Sequence, residues 1–378
     1  MQQLPADMRT PAYVLDLGRL KRNLATAQRI KRETGARILL ATKAWAMPAV
    51  FPLLREALDG TTASGEYEAR LAREEFGKEV HVYAPAYTAA EMATIVGFAD
   101  HIYFNSPEQL VRFAPTARRN AAAIGIRVNP GYSNATLGGG LYDPCAPYSR
   151  FGTPKQALAA VPWEDLDIFH VHALCESLHD GSVGLIEHVA RNFAPQLERV
   201  RAVNFGGGHF INKEGYDVGA LIRAINAFRA EFDLEVILEP GAGLVVDAGY
   251  LVAKVIALHA NEKPIAILDT SAVCHMPDVL EVPYRPQIVG ADAAGVFPNS
   301  YILGGRTCMT GDVIGEYSFA EPLVAGSRIV FGDIMQYSFV KNTTFNGTPL
   351  PDLAMLHEDG RYEVIRSFGY DEFRRRLG

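Results

Sequence analysis

The sequence predicts an α/β fold in which a (β/α)8 TIM-like barrel is followed by a C-terminal β domain that also takes the N-terminal strand. Three observations predict it. Short β-rich segments alternate with amphipathic helical segments up to about residue 244, a rhythm typical of parallel sheets covered by helices. About eight such units fall within about 200 residues, which favours a closed barrel. Beyond about residue 245 the segments are β-rich with little helical period.

The barrel is predicted to span residues 17–244. Its first helix covers about residues 18–34, and later helical segments lie at residues 66–76, 107–114 and 183–200. The eight predicted strands end, in chain order, in the sequences LLATK, GTTAS, HVYAP, IYFNS, IRVNPG, FHVHAL, VNFGGG and VILEPG. An open doubly wound sheet is the alternative, since strand order is not visible in a sequence.

The β domain is predicted to combine residues 1–16 with residues 245–378. Its strand-like segments include GYLVAKVIALHA, KPIAILDT, RIVFGD and RYEVIRSF. The first strand-like segment of the chain, PAYVLD, precedes the first barrel helix and is expected to pair into this domain.

Composition excludes several classes of protein. The chain has 378 residues, of which 48% are hydrophobic and 21% charged, as in ordinary globular proteins and unlike disordered or disulfide-dense chains. A net charge of −7 argues against nucleic acid as a partner. There is no apolar run long enough for a membrane span and no signal-peptide pattern, and the four cysteines form no CxxC pair, so we expect a cytoplasmic protein with reduced thiols.

Three candidate groups stand where predicted barrel strands end, which is where barrels carry their chemistry. Lys43 ends the first strand in an apolar run, where desolvation lowers the pKa of an amine and suits it to Schiff-base formation. Gly206–Gly208 follow the seventh strand, a frequent phosphate site in barrels. Glu239 ends the eighth strand. Each has a purely structural alternative: Lys43 could be a surface lysine, Gly206–Gly208 a flexible turn and Glu239 a salt-bridged residue.

His170 and His172 lie in the sequence FHVHAL on the sixth strand, where a period of two puts them on one face. The pair is compatible with metal ligands, with one imidazole stacked on a flat cofactor, or with polar residues bound to backbone groups. We find no acidic or Glu-x-x-His partner that clearly completes a metal site.

The predicted β domain contains two unusual segments. Cys308 lies in the glycine-rich sequence GGRTCMTGDVIG with Asp312 nearby, a setting better suited to proton transfer than to packing. Asp278 and Glu281 lie in LDTSAVCHMPDVLEVPYRP, where carboxylates could hold an amine, although a solvated loop is the default interpretation.

Taken together, Lys43, the strand-six histidine, the GGG and LEPG sequences and the cysteine loop resemble the fold-type III pyridoxal phosphate decarboxylases, which combine a barrel with a β domain. Within that group, FHVHALCES, LDTSAVCHMPDVLEVPYRP and TCMTGDVIG are similar to the carboxynorspermidine (carboxyspermidine) decarboxylases, from about Thr10 to the C-terminus. The resemblance implies decarboxylation of carboxynorspermidine, carboxyspermidine or both to norspermidine or spermidine, in polyamine biosynthesis. The alternatives are a diaminopimelate or ornithine type of decarboxylase and a metal-dependent barrel hydrolase.

The resemblance also implies a role for each site residue. Lys43 matches the lysine that binds pyridoxal 5'-phosphate, His172 the histidine that stacks on its ring, and Glu239 the partner of its ring nitrogen. Cys308 matches the cysteine that returns a proton, supplied by the other subunit of a homodimer. Phosphate contacts are expected from Gly206, Gly207, Gly208 and Tyr337, and substrate contacts from Asp278, Glu281 and Asp312, with no metal site. Ala242 departs from the family pattern, since ornithine and diaminopimelate decarboxylases have an arginine after EPG.

Overall fold

The computed structural model describes residues 4–135 and 140–378. This part of the chain forms two compact units, one within residues 23–244 and the other made of residues 4–22 with 245–378. The first division falls inside a helix, Leu17–Thr34, whereas the predicted boundary lay at its start.

Strands and helices are numbered in chain order. The strands are β1 (Ala12–Asp16), β2 (Arg37–Ala41), β3 (Gly60–Ala63), β4 (Glu79–Tyr83), β5 (His101–Phe104), β6 (Ala123–Asn129), β7 (Thr153–Pro154), β8 (Ile168–Val171), β9 (Ala202–Asn204), β10 (Glu235–Leu238), β11 (Gly249–Asn261), β12 (Lys263–Leu268), β13 (Ala291–Ala293), β14 (Asn299–Gly304), β15 (Val313–Phe319), β16 (Arg328–Gly332), β17 (Asp352–Leu356) and β18 (Tyr362–Arg366). The helices are α1 (Leu17–Thr34), α2 (Phe51–Ala57), α3 (Glu66–Leu71), α4 (Ala89–Ile95), α5 (Pro107–Arg119), α6 (His179–Leu197), α7 (Val218–Phe232), α8 (Ala242–Val245), α9 (Ala272–His275), α10 (Asp278–Glu281), α11 (Ser338–Lys341) and α12 (Tyr370–Leu377).

The unit of residues 23–244 is a closed barrel of eight parallel strands. Going around it, the order is β2, β3, β4, β5, β6, β8, β9 and β10, and β10 pairs with β2 to close the ring. The predicted fold class is confirmed. All eight predicted strands are present, so the carboxyl ends of the strands bring the residues that follow them to one face of the barrel.

Local sequence explains where the helices start. Ser106 caps α5 by accepting a hydrogen bond from the Gln109 N–H, and Asp217 caps α7 in the same way through Ala220. Thr88 and Glu91 form a capping box at α4. These caps fix the helix ends against the strands they follow.

The barrel interior combines apolar and polar side chains. One buried layer is a cluster of Leu39, Tyr103, Ala123, Ile168, Ala202 and Ile237. Gly125 makes room for it, because a Cβ there would lie 2.4 Å from the Tyr103 ring. The same strands also carry three buried polar side chains, those of His81, His170 and Asn204.

The other unit is built on a mostly antiparallel sheet ordered β13-β15-β14-β12-β11-β1-β17-β18, with β16 added on β11. The N-terminal strand β1 lies between β11 and β17 in this sheet, as predicted from its position ahead of the first barrel helix. Within residues 4–135 and 140–378, no helix is long and apolar enough to cross a membrane.

Candidate active site

Lys43 lies two residues beyond the end of β2, at the carboxyl face of the barrel. Its side chain is exposed, but the surrounding protein displaces much of the water that would stabilise the ammonium. This desolvation lowers the Lys43 pKa, and the nearby positive charge of Arg127 lowers it further, against the opposing pull of Glu239. More of this amine is therefore neutral at neutral pH than for an ordinary surface lysine.

Glu239 follows β10 and is buried, with 4% of its surface exposed. Its Oε1 accepts a hydrogen bond of 2.7 Å from the Asn204 Nδ2, while its Oε2 lies 4.0 Å from the His170 Nε2. The Asn204 Oδ1 accepts a hydrogen bond of 2.8 Å from the Gly206 N–H. One amide side chain therefore connects the buried carboxylate to the glycine turn that follows β9.

The turn Gly206–Gly208 has no room for side chains. Gly206 and Gly208 have φ values of +66° and +88°, which favour glycine. A Cβ on Gly208 would lie 2.2 Å from the Leu174 carbonyl oxygen, and a Cβ on Gly207 would lie 2.7 Å from the Glu239 carbonyl oxygen. The backbone itself forms the surface here, as a phosphate-binding turn requires.

His172 follows β8 and is held in one orientation. Its Nδ1 accepts a hydrogen bond of 3.1 Å from the Gly207 N–H, and its carbonyl oxygen accepts one of 2.8 Å from Arg127. Desolvation, and then the charge of Lys43, lower the His172 pKa well below its usual range. The ring is therefore neutral, with Nε2 carrying its proton.

His170 lies within β8 and is fully enclosed. Neither of its ring nitrogens has a hydrogen-bond partner among residues 4–135 and 140–378, and burial lowers its pKa well below the usual value. One ligand atom from each of His170, His172 and Glu239 falls within a 4.8 Å cluster. These three residues could hold a metal ion, as the metal-dependent hydrolase alternative requires.

Arg127 is a site residue that the sequence reasoning missed. It lies in the middle of β6 with 5% of its surface exposed, and its guanidinium stands 4.6 Å from the centroids of both the Tyr83 and the Phe151 rings. An arginine inside the otherwise apolar strand AIGIRVN was the available signal. The guanidinium N–H groups of Arg127 that do not donate to the His172 carbonyl oxygen suit an anionic oxygen.

The Cys308 loop connects β14 and β15 in the other unit. The thiol is exposed, and the Cys308 N–H donates a 2.7 Å hydrogen bond to Asn346. Asp312 is buried beneath this loop and accepts hydrogen bonds from both the N–H and the hydroxyl of Thr307, from the Ser271 hydroxyl and from two further N–H groups at the start of α9. These contacts make Asp312 a support of the loop, and they differ from the open substrate-binding carboxylate that we expected.

Asp278 and Glu281 lie on α10, and both form ion pairs with the ammonium of Lys341 at the end of α11. The predicted amine-binding carboxylates thus hold an amine of the chain itself, which the sequence did not indicate. Tyr337 directly precedes α11 with a φ of +57°. Its expected phosphate contact stays a prediction.

Comparison with known proteins adds independent findings. Residues 12–334 match the family model described as pyridoxal-dependent decarboxylase, C-terminal sheet domain. The chain is 40% identical to the carboxyaminopropylagmatine decarboxylase of Synechocystis sp., over 98% of this chain and 95% of that protein. It is 37% identical to the carboxynorspermidine/carboxyspermidine decarboxylase of Campylobacter jejuni, over 97% of this chain and 98% of that protein.

Solved structures agree with these matches. The crystal structure of carboxynorspermidine decarboxylase from Campylobacter jejuni, complexed with norspermidine, superposes with a TM-score of 0.91 at 36% identity and covers 98% of this chain and 100% of that one. Diaminopimelate decarboxylase from Helicobacter pylori, complexed with L-lysine, has a TM-score of 0.83 at 20% identity, with 98% and 97% of the chains covered, and shows the shared fold.

Proposed function

This chain belongs to the pyridoxal-dependent decarboxylases, alongside the carboxynorspermidine/carboxyspermidine decarboxylases, and on that premise we propose that it decarboxylates carboxynorspermidine, carboxyspermidine or both. The products would be norspermidine and spermidine. The observation that carries this proposal is a similarity to carboxynorspermidine/carboxyspermidine decarboxylases that extends over nearly the whole of both chains. These matches favour a decarboxylase over the metal-dependent hydrolase.

A second candidate substrate is carboxyaminopropylagmatine, because a full-length relative is named for that activity. This compound ends in a guanidinium, whereas the carboxy-polyamines end in an ammonium. Asp278 and Glu281 converge on a single ammonium, that of Lys341. Such an arrangement suits a compact point charge better than a planar guanidinium that prefers bidentate pairing, so we place the carboxy-polyamines first.

The barrel residues fit pyridoxal 5'-phosphate. Lys43 offers an amine with a lowered pKa, the glycine turn is a cradle that a Cβ would fill, and Glu239 is a buried carboxylate. We assign the covalent bond to Lys43, the phosphate to Gly206–Gly208, the ring face to His172 and the ring nitrogen to Glu239. When bound, the cofactor supplies an electron sink for the pair released as the bond from the α-carbon to the carboxylate breaks.

The chain's own residues then manage charge and protons. The Glu239 carboxylate would hold a proton on the ring nitrogen and keep the sink strong, and the neutral His172 ring covers a flat face without adding charge. The Lys43 Nζ, when it is not bonded to the cofactor, would be free to accept or donate a proton. The buried Arg127 would balance negative charge at the barrel mouth.

We propose that the Cys308 Sγ delivers the proton that replaces the lost carboxylate on the α-carbon. The family resemblance supports the further proposal that Cys308 acts in the active site of the other subunit, so that the protein works as a homodimer. The carboxylates Asp278 and Glu281 are proposed to bind the distal ammonium of the substrate in place of the Lys341 ammonium with which they pair in this structure. Localisation in the cytoplasm stays a prediction.

The test is a comparison of substrates with the purified holoenzyme. CO₂ release is measured with carboxynorspermidine, carboxyspermidine, carboxyaminopropylagmatine, meso-diaminopimelate and ornithine. We expect kcat/KM for the first two to exceed that for the last two by at least about 100-fold, since mispaired polar groups in a pocket are costly. A preference for carboxyaminopropylagmatine would select the second candidate, and a preference for diaminopimelate or ornithine would contradict the proposal.

A further inference from the structure

We propose that Tyr103, buried in the barrel interior, is a positioning residue for Glu239 and acts on it through the side-chain amide of Asn204. This inference rests on the proposed function, because it concerns the carboxylate assigned to the cofactor ring nitrogen. The contacts form a chain of hydrogen bonds inside the barrel, which runs from the half of the interior opposite Glu239 to Glu239 itself.

The chain of contacts is continuous across four strands. The Asn204 Nδ2 donates to the Glu239 Oε1 at 2.7 Å and to the Tyr103 hydroxyl at 2.9 Å. The Tyr103 hydroxyl lies 2.8 Å from the His81 Nδ1, and the His81 Nε2 lies 3.2 Å from the Glu79 Oε2. The Glu79 carboxylate is held in turn by two hydrogen bonds from Arg37.

The direction of each hydrogen bond in this chain is fixed by chemistry. The Asn204 Oδ1 accepts from the Gly206 N–H, so the amide nitrogen must face Glu239 and Tyr103, with one hydrogen for each. The Tyr103 hydroxyl accepts the hydrogen from Asn204 and donates its own to the His81 Nδ1. The His81 Nε2 then carries the proton and donates it to Glu79. With His81 in this tautomer, every donor of the chain has one acceptor.

The two ends of the chain are anchored differently. At the far end, the hydrogen bond from His81 and the charge of Arg37 lower the pKa of Glu79 to about 2, so this end is a fixed negative charge. Burial, followed by the charge of Glu239, raises the Tyr103 pKa well above its usual value, so its hydroxyl keeps the hydrogen it donates. Because the amide of Asn204 donates in both directions, the chain orients groups and does not carry protons.

Glu239 has few other partners that could orient it. The charged and titratable groups around it are His170 at 4.0 Å on β8, His172 just beyond β8, Lys43 beyond β2, Arg127 on β6 and Tyr103 itself on β5. His170 is neutral and lies beyond hydrogen-bond distance. The donation from Asn204 therefore governs the direction of the carboxylate.

The experiment compares Tyr103→Phe with wild-type holoenzyme. We measure kcat and KM, together with the visible circular dichroism of the bound cofactor, which reports ring orientation. Without the hydroxyl, the Asn204 amide loses its second acceptor and no longer holds the Glu239 carboxylate in one direction. We expect kcat to fall about 10-fold with KM changed less than about 2-fold, and the dichroism to change.

Tyr87→Phe is the matched control. Tyr87 is also a buried barrel tyrosine, but within the described part of the chain its hydroxyl bonds only to backbone atoms of Val82, Ala84 and Tyr103. We expect its kcat and dichroism to match the wild type. Equal kcat and dichroism in Tyr103→Phe and Tyr87→Phe, whether both are unchanged or both altered, would overturn the proposal.

A second pair of variants decides the matter if Tyr103→Phe does not fold. His81→Asn keeps an acceptor near the position of Nδ1, whereas His81→Leu removes it. The proposal predicts a lowered kcat and altered dichroism in His81→Leu and their restoration in His81→Asn, and identical kcat and dichroism in the two variants would overturn it. A wild type that binds no pyridoxal phosphate would instead refute the proposed function itself.

Discussion

At the scale of single residues, the site depends on a buried carboxylate with a defined donor. Glu239 is almost fully enclosed, and the contact from Asn204 directs one of its oxygens. A carboxylate in such a place stabilises positive charge that develops nearby, because water does not compete with it. The electrostatic contribution of Glu239 to the reaction should therefore be large.

The variant Glu239→Gln tests this contribution. The amide keeps the size of the side chain but cannot hold a proton on the ring nitrogen, so we expect kcat to fall by about 100- to 1,000-fold. Cofactor affinity, measured by fluorescence titration of the apoprotein, should change far less. Glu231→Gln, on the exposed face of α7, serves as the control and should behave as wild type. Retention of most of the activity by Glu239→Gln would refute the assigned role.

Individual site residues differed in how visible they were in the sequence. Lys43, Glu239 and the three glycines follow strand-like segments, and strand ends are where a barrel places its chemistry. Asn204 and Tyr103 lie within strand segments, where they look like ordinary core positions, and Arg127 was visible only as a charge in an otherwise apolar strand. Their roles depend on partners on neighbouring strands, and such pairing across strands is not written in local sequence.

At the scale of elements, the turn after β9 is defined by steric exclusion. Gly208 needs both a positive φ and an empty Cβ position, because the Leu174 carbonyl occupies that space. Gly215 has a similar φ of +85°, but its nearest neighbour is a side-chain methyl group at 4.0 Å. Comparing substitutions at the two glycines therefore separates the cost of a positive φ from the cost of a clash at the Cβ position.

We predict that Gly208→Ala lowers the free energy of unfolding by about 3 kcal/mol or more and weakens pyridoxal phosphate binding at least about 10-fold, since the turn must move. Gly215→Ala should cost only about 1 kcal/mol, the strain of a positive φ, with cofactor affinity unchanged. Denaturant unfolding and cofactor titration give the two quantities. Equal cofactor affinity in the two variants would show that the turn does not bind the phosphate.

The Cys308 loop is the second element whose geometry is set by one buried group. Asp312 satisfies donors of the loop and of the start of α9 together, so its removal should release both. In Asp312→Ala we expect faster amide hydrogen exchange in residues 271–275 and 305–312, with a local loss of about 2 kcal/mol or more. Asp292→Ala, an exposed aspartate in β13 of the same unit, should leave exchange there unchanged. Unchanged protection in Asp312→Ala would contradict the supporting role.

Element boundaries were predicted less well than element types. The predicted helix at residues 107–114 extends to Arg119, because Pro115 within α5 does not end it. The predicted segment 183–200 begins earlier, at His179, and ends at Leu197. The strands matched more closely, since apolar runs bounded by Gly, Pro and Asn mark them on both sides.

At the scale of the whole molecule, the proposed homodimer predicts complementation. Lys43→Ala and Cys308→Ala remove residues assigned to the same site but to different subunits. If the two inactive variants are unfolded, mixed and reassembled, half of the dimers are mixed and each has one intact site, so about one quarter of wild-type activity should return. Each variant reassembled alone is the control. Absence of recovery, with mixed dimers confirmed by mass spectrometry, would place Cys308 and Lys43 of one active site in the same subunit.

The overall architecture was accessible from the sequence for a physical reason. Eight strand and helix units in about 200 residues leave few arrangements for a parallel sheet. The placement of β1 in the β domain was also predictable, since β1 precedes the barrel helices. By contrast, the ion pairs of Lys341 with α10 join segments about 60 residues apart and had no local signature.

The central claim is that the decarboxylase site is built on Lys43, and one measurement tests it directly. The holoenzyme is reduced with borohydride, which makes the bond between cofactor and lysine permanent, and the digested protein is mapped by mass spectrometry. The account predicts a pyridoxyl group on the peptide that contains Lys43 and on no other lysine. A modified lysine elsewhere, or no modified peptide from a protein saturated with pyridoxal phosphate, would contradict it.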